Sequence, residues 1–263
     1  MSRLDDTFNA ARAEKRIVVS IYLTTGHPDL DASLDLARAA LAGGAEMLEI
    51  GVPFSDPLAD GPVIQASSHT ALENGVTLAD CLQLVRTLRA ESDVPILLMG
   101  YANPFLASGW DNLAKDVRSA GADGLIVPDL PPEEGGNALA ALGARDLALI
   151  QMLAPTSDES RVEMVTGLAR GFIYCVALTG TTGARTEMDA GLQPFLERVR
   201  ARTEVPLVVG FGISSGEHVA RLRGLADGVI IGSAFVRLAG ETGPNDRAAA
   251  AEEYVRGLVA ASR

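Results

Sequence analysis

Lysine is almost missing from this chain: Lys15 and Lys115 are the only two in 263 residues. One precedes the first strand-like run and the other lies inside a helical one, so neither falls where a strand ends. A Schiff base between a lysine amine and a carbonyl substrate is therefore a poor fit. Histidine is nearly as scarce. His27, His69 and His218 have no metal-ligand spacing, which argues against a zinc aldolase. The two cysteines, Cys81 and Cys175, make no metal-like pattern and read as small core residues in a reduced compartment, the cytosol. Basic charge is also short, with Lys+Arg 22 against Asp+Glu 34, a net charge of -12, and no basic block. Nucleic acid and anionic membrane are poor partners for such a surface. An anionic ligand would need a site built locally, from backbone N–H groups and helix ends. Long apolar runs are absent too. The opening "MSRLDDTFNAARAEKR" has no apolar core, and the longest uncharged run, 94–110, is broken by Pro95, Asn103 and Pro104. Neither a signal peptide nor a membrane span is expected.

What the chain does have is a regular alternation. Hydrophobic residues make up 48% and charged ones 21%, an ordinary globular balance, and 263 residues is the usual size of one large α/β barrel. Short β-branched runs predict strands near 17–22, 47–50, 96–99, 124–127, 148–152, 172–177, 207–210 and 228–231. Between them lie apolar patterns of helical period, such as "LDASLDLARAALAGG", "TLADCLQLVRTLRAES", "WDNLAKDVRSAG" and "GLQPFLERVRART". Eight such alternations predict a closed (β/α)8 barrel, the TIM-barrel class, since an open doubly wound sheet usually stops sooner. A weak repeat agrees: "GGAEMLEIG" (43–51), "AGADGLIVP" (120–128) and "GLADGVIIG" (224–232) each run from a glycine through an acid into a strand. "LDDTFNAARA" reads as an extra N-terminal helix able to cover the barrel floor with Leu4 and Phe8. "NDRAAAAEEYVRGLVAAS" reads as a final helix. With no linker in view, residues 1–263 are expected to form a single domain.

In such barrels chemistry collects at the C-terminal ends of the strands. Glu49 closes the second strand and, by alternation with Met47, points inward. Burial there should raise its pKa until it can give as well as take a proton near neutrality. Position alone also allows a structural glutamate paired with an arginine in a polar barrel layer. The loop 53–62 carries Asp60 in "LADGP", where Asp-Gly is also ordinary turn chemistry. Its catalytic case rests on company, as a second carboxylate one loop from an inward glutamate. Glycines crowd the later strand ends in "LTGTTGAR" (178–185), "GFGIS" (210–214) and "GSAF" (232–235). Loops after strands seven and eight, with Ser233 as a hydroxyl donor, favour a phosphorylated substrate, the alternative being that the glycines only permit tight turns.

Read in order, "YLTTGHPD", "LEIGVPFSDPLADGPVIQ", "MGYANPF", "GADGLIVPDLPPEE", "TGTTGAR", "GFGIS" and "IIGSAFV" resemble the tryptophan synthase α subunit family over essentially the whole chain. The resemblance implies cofactor-free retro-aldol cleavage of indole-3-glycerol phosphate to indole and glyceraldehyde 3-phosphate. It implies Glu49 as the acid/base and Asp60 as acceptor of the indole N–H. It places the phosphate on Gly183, Gly212, Gly232 and Ser233, the ring among Met99, Tyr174 and Phe211, and Thr182 on a loop that closes toward Asp60. It also implies an α2β2 complex with a β subunit that carries pyridoxal phosphate, so that no cofactor belongs to this chain and no metal is called for. "SDPLADG" and "YANPF" would lie on the partner face. Two departures stand out: Thr181 where the family is commonly aliphatic, and Ala102 where an aromatic often follows Tyr101. A free-standing lyase, a barrel that has lost catalysis, and a phosphosugar isomerase on the same fold are the alternatives.

Overall fold

The computed structural model describes residues 2–177 and 191–263. Eight parallel strands close in sequence order: β1 (Val18–Thr24), β2 (Met47–Gly51), β3 (Ile96–Met99), β4 (Gly124–Ile126), β5 (Ala148–Leu153), β6 (Ile173–Val176), β7 (Leu207–Gly210) and β8 (Gly228–Ile231). β8 pairs back onto β1, with Val18 opposite Gly228 and Ile21 opposite Ile231. The predicted TIM barrel is therefore the observed one. Helix α1 (Arg3–Ala13) precedes β1, and α2 (Leu30–Ala42) follows it. Two helices, α3 (Pro62–Glu73) and α4 (Leu78–Glu91), join β2 to β3; two more, α5 (Ala102–Ser108) and α6 (Trp110–Ala120), join β3 to β4. Next come α7 (Gly136–Gly143) after β4, α8 (Glu159–Leu168) after β5, α9 (Leu192–Arg200) before β7 and α10 (Gly216–Arg221) before β8. After β8 the chain ends in α11 (Ser233–Glu241) and α12 (Pro244–Ala261). Among the described residues no helix is long and apolar enough to cross a membrane.

Differences from the sequence reading are local. β1 runs on to Thr24 because Leu23 and Thr24 find partners in Ile50 and Gly51, whereas β4 stops at Ile126, its last residue paired with β5. Helix α3 had no sequence expectation. It begins right after the Asp60 loop, with Gly61 as N-cap and Pro62 in the first turn, where a missing N–H does no harm.

Strand alternation sorts the side chains into two cores. Val19, Ile21 and Leu23 face the helical layer, while Val18 and Tyr22 join Met47, Leu97, Met99, Ile126, Ile150, Phe172, Tyr174, Val208 and Ile230 inside the barrel. Helix α1 closes the floor of this inner core as expected. Its N-terminus is held by a reciprocal capping box between Ser2 and Asp5, and Leu4 and Phe8 are buried, with Phe8 against Phe172 at 5.9 Å between ring centroids.

The three-fold repeat has a physical role at this end. Glu46, Asp123 and Asp227, the acids of the repeat, stand just ahead of β2, β4 and β8. Each gives its backbone N–H to a carbonyl of an adjacent strand: Val19 at 3.0 Å, Ile96 at 2.8 Å and Leu207 at 2.8 Å. Each carboxylate then accepts the N–H of that same residue, at 3.4, 2.8 and 2.8 Å respectively. An arginine neutralises each acid: Arg16 at Glu46, Arg89 at Asp123 and Arg200 at Asp227. Helix α1 adds Arg3 to Asp123 at 3.2 Å and Arg12 to Asp227 at 3.3 Å, so the floor helix is tied to two of the three clasps. Asp123 is the most buried of these acids and also holds Arg89, whose other donors serve the carbonyls of Gly121, Ser92 and Val94. Removing it strands a half-buried guanidinium and a strand N–H. Asp123→Ala is therefore expected to lower unfolding free energy by ~3 kcal/mol, read by urea denaturation; a loss below about 1 kcal/mol would make the clasp incidental.

Candidate active site

Glu49 sits third in the five residues of β2, with Tyr22 of β1 and Leu97 of β3 as its Cα partners. Its side chain enters the barrel on the same face as Met47. The residue is 0% exposed, and among the described residues neither carboxylate oxygen has a hydrogen-bond partner. The structural alternative, a glutamate paired with an arginine, finds no such arginine among the described residues. With nothing to stabilise its charge, burial alone pushes the carboxyl up to about 8. At neutral pH it is mostly a neutral acid that ionises with modest effort.

Asp60 closes the loop between β2 and α3. Its backbone N–H reaches the carbonyl of Pro57 at 3.0 Å and its own carbonyl accepts Gln65 Nε2 at 2.8 Å, so the turn reading is correct as far as it goes. The side chain does more. Tyr101 Oη donates to Asp60 Oδ2 at 3.0 Å while accepting the N–H of Ala59, also at 3.0 Å, and Phe54 stacks on the Tyr101 ring at 5.2 Å. Tyr101 lies just past β3 and carried an expectation only as part of the partner face, not of the site; a phenol at a strand end beside the acidic loop was the available signal. Burial raises Asp60 to about 6, and the Tyr101 hydrogen bond limits that rise. Two carboxyls in one pocket are therefore held in different protonation states at neutral pH, Glu49 as acid and Asp60 as carboxylate.

Both acids line one cavity of about 720 Å³ at the C-terminal end of the strands. Met99, Tyr174, Phe211, Gly212, Gly232 and Ser233 line it as well, so every expected site residue that the structure describes is brought together there. Thr182 and Gly183, with Thr181, lie outside the described residues. Tyr174 and Phe211 meet edge to face at 5.9 Å and, with Met99, Ile64 and Val127, form an apolar slot for a flat ring. Tyr22 and Arg237 also line the cavity without having been singled out in the sequence. His27, in the turn after β1, is absent from the lining.

The far end suits an anion. Gly232 caps α11 with no side-chain cap hydrogen bond among the described residues, and Ser233 is its first residue, so the first N–H groups of that helix face the cavity end where an anion can be met. After β7 two consecutive residues take left-handed backbone, Phe211 at φ 66 and Gly212 at φ 83. A left-handed phenylalanine is uncommon, and here it turns the ring into the slot while the glycine lets the chain approach a ligand closely. Among the described residues no group of three or more His, Cys, Asp or Glu could hold a metal ion.

Residues 8–262 match the family model described as tryptophan synthase alpha chain. The chain belongs to that family. Its relatives include the tryptophan synthase alpha chains of Roseiflexus sp. (strain RS-1), 51% identical over 98% of this chain and 99% of the relative, and of Chloroflexus aggregans, 45% identical over 100% and 98%. Among solved structures, one from Aquifex aeolicus VF5 superposes with a TM-score of 0.92 at 37% identity, covering 100% of both chains. A Mycobacterium tuberculosis tryptophan synthase structure gives 0.92 at 35% identity, covering 100% of this chain and 98% of that one.

Two outcomes follow from this geometry. Because Glu49 is held near 8 against an ordinary 4.5, the folded state keeps its proton where the unfolded state releases it. Stability is then full below pH ~4.5 and declines as pH rises toward ~8. Unfolding midpoints measured from pH 5 to 8.5 should fall less steeply for Glu49→Gln than for the parent, and parallel curves would contradict the buried, unpartnered carboxyl. Gly212→Val forces a β-branched residue into left-handed backbone. It should weaken sn-glycerol 3-phosphate binding about tenfold or more by calorimetry, and an unchanged constant would remove this loop from the anion site.

Proposed function

We propose that the chain cleaves indole-3-glycerol phosphate to indole and glyceraldehyde 3-phosphate, as the α subunit of an α2β2 tryptophan synthase acting in tryptophan biosynthesis. One observation carries the reading: Glu49, buried with no hydrogen-bond partner among the described residues, shares a cavity with Asp60, whose carboxylate is positioned by Tyr101. Glu49 begins as the acid and protonates indole C3. Asp60 accepts the indole N–H and stabilises the positive charge that this protonation places on the ring. Glu49, now a carboxylate, takes the proton from the hydroxyl on the carbon attached to C3. The electron pair of that O–H becomes the aldehyde C=O, the carbon–carbon bond breaks toward the ring, and indole leaves neutral. The proton gained balances the proton lost, so Glu49 is regenerated. No cofactor enters these steps.

The ring occupies the slot of Met99, Tyr174 and Phe211, and the phosphate lies on Gly212, Gly232 and Ser233; the family resemblance adds Gly183 to the phosphate contacts and Thr182 to the residues that approach Asp60 on closure. The whole chain, 1–263, acts as one domain in the cytoplasm. The β subunit holds pyridoxal phosphate and consumes the indole. Leu58 is 85% exposed in the "SDPLADG" stretch and Leu106 is 53% exposed in α5, one residue beyond "YANPF", beside the two segments that the family resemblance puts on the partner face. Large apolar side chains so exposed support a surface that is covered in the complex.

The test is indole release from indole-3-glycerol phosphate by the purified chain, alone and with tryptophan synthase β subunit. Slow release that rises strongly with the partner is expected. Fast release by the chain alone would favour a free-standing lyase, and none under either condition would overturn the reading. Glu49→Gln should abolish turnover while sn-glycerol 3-phosphate still binds. The pH profile of kcat/KM should be bell-shaped, falling below about 6 as Asp60 gains a proton and above about 8 as Glu49 loses one.

A further inference from the structure

One hydroxyl in the cavity has its hydrogen assigned by its neighbours. Tyr22 Oη lies 3.2 Å from Thr24 Oγ1, Thr24 Oγ1 lies 2.7 Å from Ser67 Oγ, and Ser67 Oγ lies 2.8 Å from the carbonyl oxygen of Ile64. A carbonyl can only accept. Ser67 must donate to Ile64, so it accepts from Thr24, and Thr24 in turn accepts from Tyr22. Only this assignment of the three hydrogens makes all three bonds. Tyr22 then has lone pairs, but no hydrogen, to offer a ligand.

The position of that oxygen narrows what the ligand group is. Tyr22 pairs with Glu49 in register, and a Cβ added to Gly51 would strike the Tyr22 hydroxyl and ring edge. The phenol therefore lies over the end of β2, one inward position beyond Glu49. At its other end, a Cβ added to Gly232 would stand 3.6 Å from Tyr22 Cβ and Cδ1. The side chain thus spans the cavity wall from the anion-binding helix end to the carboxyl groups. Burial, with Asp60 and Glu49 nearby, keeps the phenol protonated well beyond neutral pH, so the chain of donors persists wherever the enzyme works.

We propose that Tyr22 binds substrate directly, its hydroxyl oxygen accepting a hydrogen bond from the middle, non-reacting hydroxyl of the glycerol phosphate chain. This rests on the reaction proposed above. With the ring in the apolar slot and the phosphate at Gly232 and Ser233, the glycerol carbons cross the face of Tyr22. The hydroxyl next to the ring is taken by Glu49, and the middle hydroxyl is the remaining donor. An acceptor whose hydrogen is committed elsewhere favours a hydroxyl at that carbon over a methylene, which cannot donate.

Calorimetry on the full chain with sn-glycerol 3-phosphate and 3-hydroxypropyl phosphate isolates this contact, since the two differ only in the middle hydroxyl. The parent should prefer glycerol 3-phosphate about fivefold, the range of one neutral hydrogen bond. Tyr22→Phe should bind both alike and raise KM for indole-3-glycerol phosphate by a similar factor. Thr24→Val, which keeps the phenol but frees its hydrogen, should also reduce the preference. A preference retained in Tyr22→Phe, absent from the parent, or masked because neither ligand binds overturns the inference. Indole release measured in parallel separates the two readings. Release without the preference removes only the role of Tyr22, whereas the preference without release removes the lyase reaction and leaves the hydroxyl contact standing.

Discussion

A carboxyl group enclosed in the barrel, with no hydrogen-bond partner among the described residues, is the constraint on which the rest of this molecule turns. Among the described residues Glu49 has no hydrogen bond and no paired cation, so its ionised form is disfavoured and its proton is retained to about pH 8. Such a group is tolerated only where the surroundings cannot relax to solvate or pair it. The closed barrel meets that condition: every strand is paired on both sides, and the inward layer around Glu49 is filled by Tyr22, Leu97, Met99 and Tyr174. A looser fold would let water in and return the carboxyl to an ordinary acid.

The two ends of the barrel divide the work. At the N-terminal end three acids are fully paired: Glu46, Asp123 and Asp227 each hold both backbone groups of one neighbouring residue and an arginine, and α1 bridges two of them. At the C-terminal end two acids are kept short of partners, and their proton affinities are spread by degree of burial and by one phenol. Charge is satisfied where it holds strands in register and left unsatisfied where it moves protons. The polar groups of the mouth are likewise positioned from outside the cavity. Tyr101 reaches in from beyond β3 to orient Asp60, and α3 anchors the hydroxyl chain that orients Tyr22.

Much of this could be read from residue order because it depends on short-range periodicity. Strand runs of alternating or continuous apolar residues located all eight strands to within a residue or two, and the parity of Met47 and Glu49 put the glutamate inside. The recurring glycine-acid-strand plan was visible, although its purpose was not: a carboxylate's use of the adjacent strand's N–H is a contact between segments. Helix α3 was missed because the proline-rich stretch before it reads as loop, and the helix has little apolar periodicity to announce it.

Local pattern was enough to establish the barrel, the inward glutamate and the glycine-bearing strand ends, because each follows from dihedral preference and the two-residue repeat of a strand. Closure of the barrel decided the remainder. Whether Glu49 meets an arginine or not, whether Asp60 is only a turn residue or a carboxylate held by Tyr101, and which way the hydroxyls of Tyr22, Thr24 and Ser67 point all depend on residues far apart in the chain, 41 positions for Asp60 and Tyr101 and 43 for Thr24 and Ser67. Proton affinity and hydrogen-bond direction are properties of an enclosed volume, and that volume exists only once β8 has paired with β1.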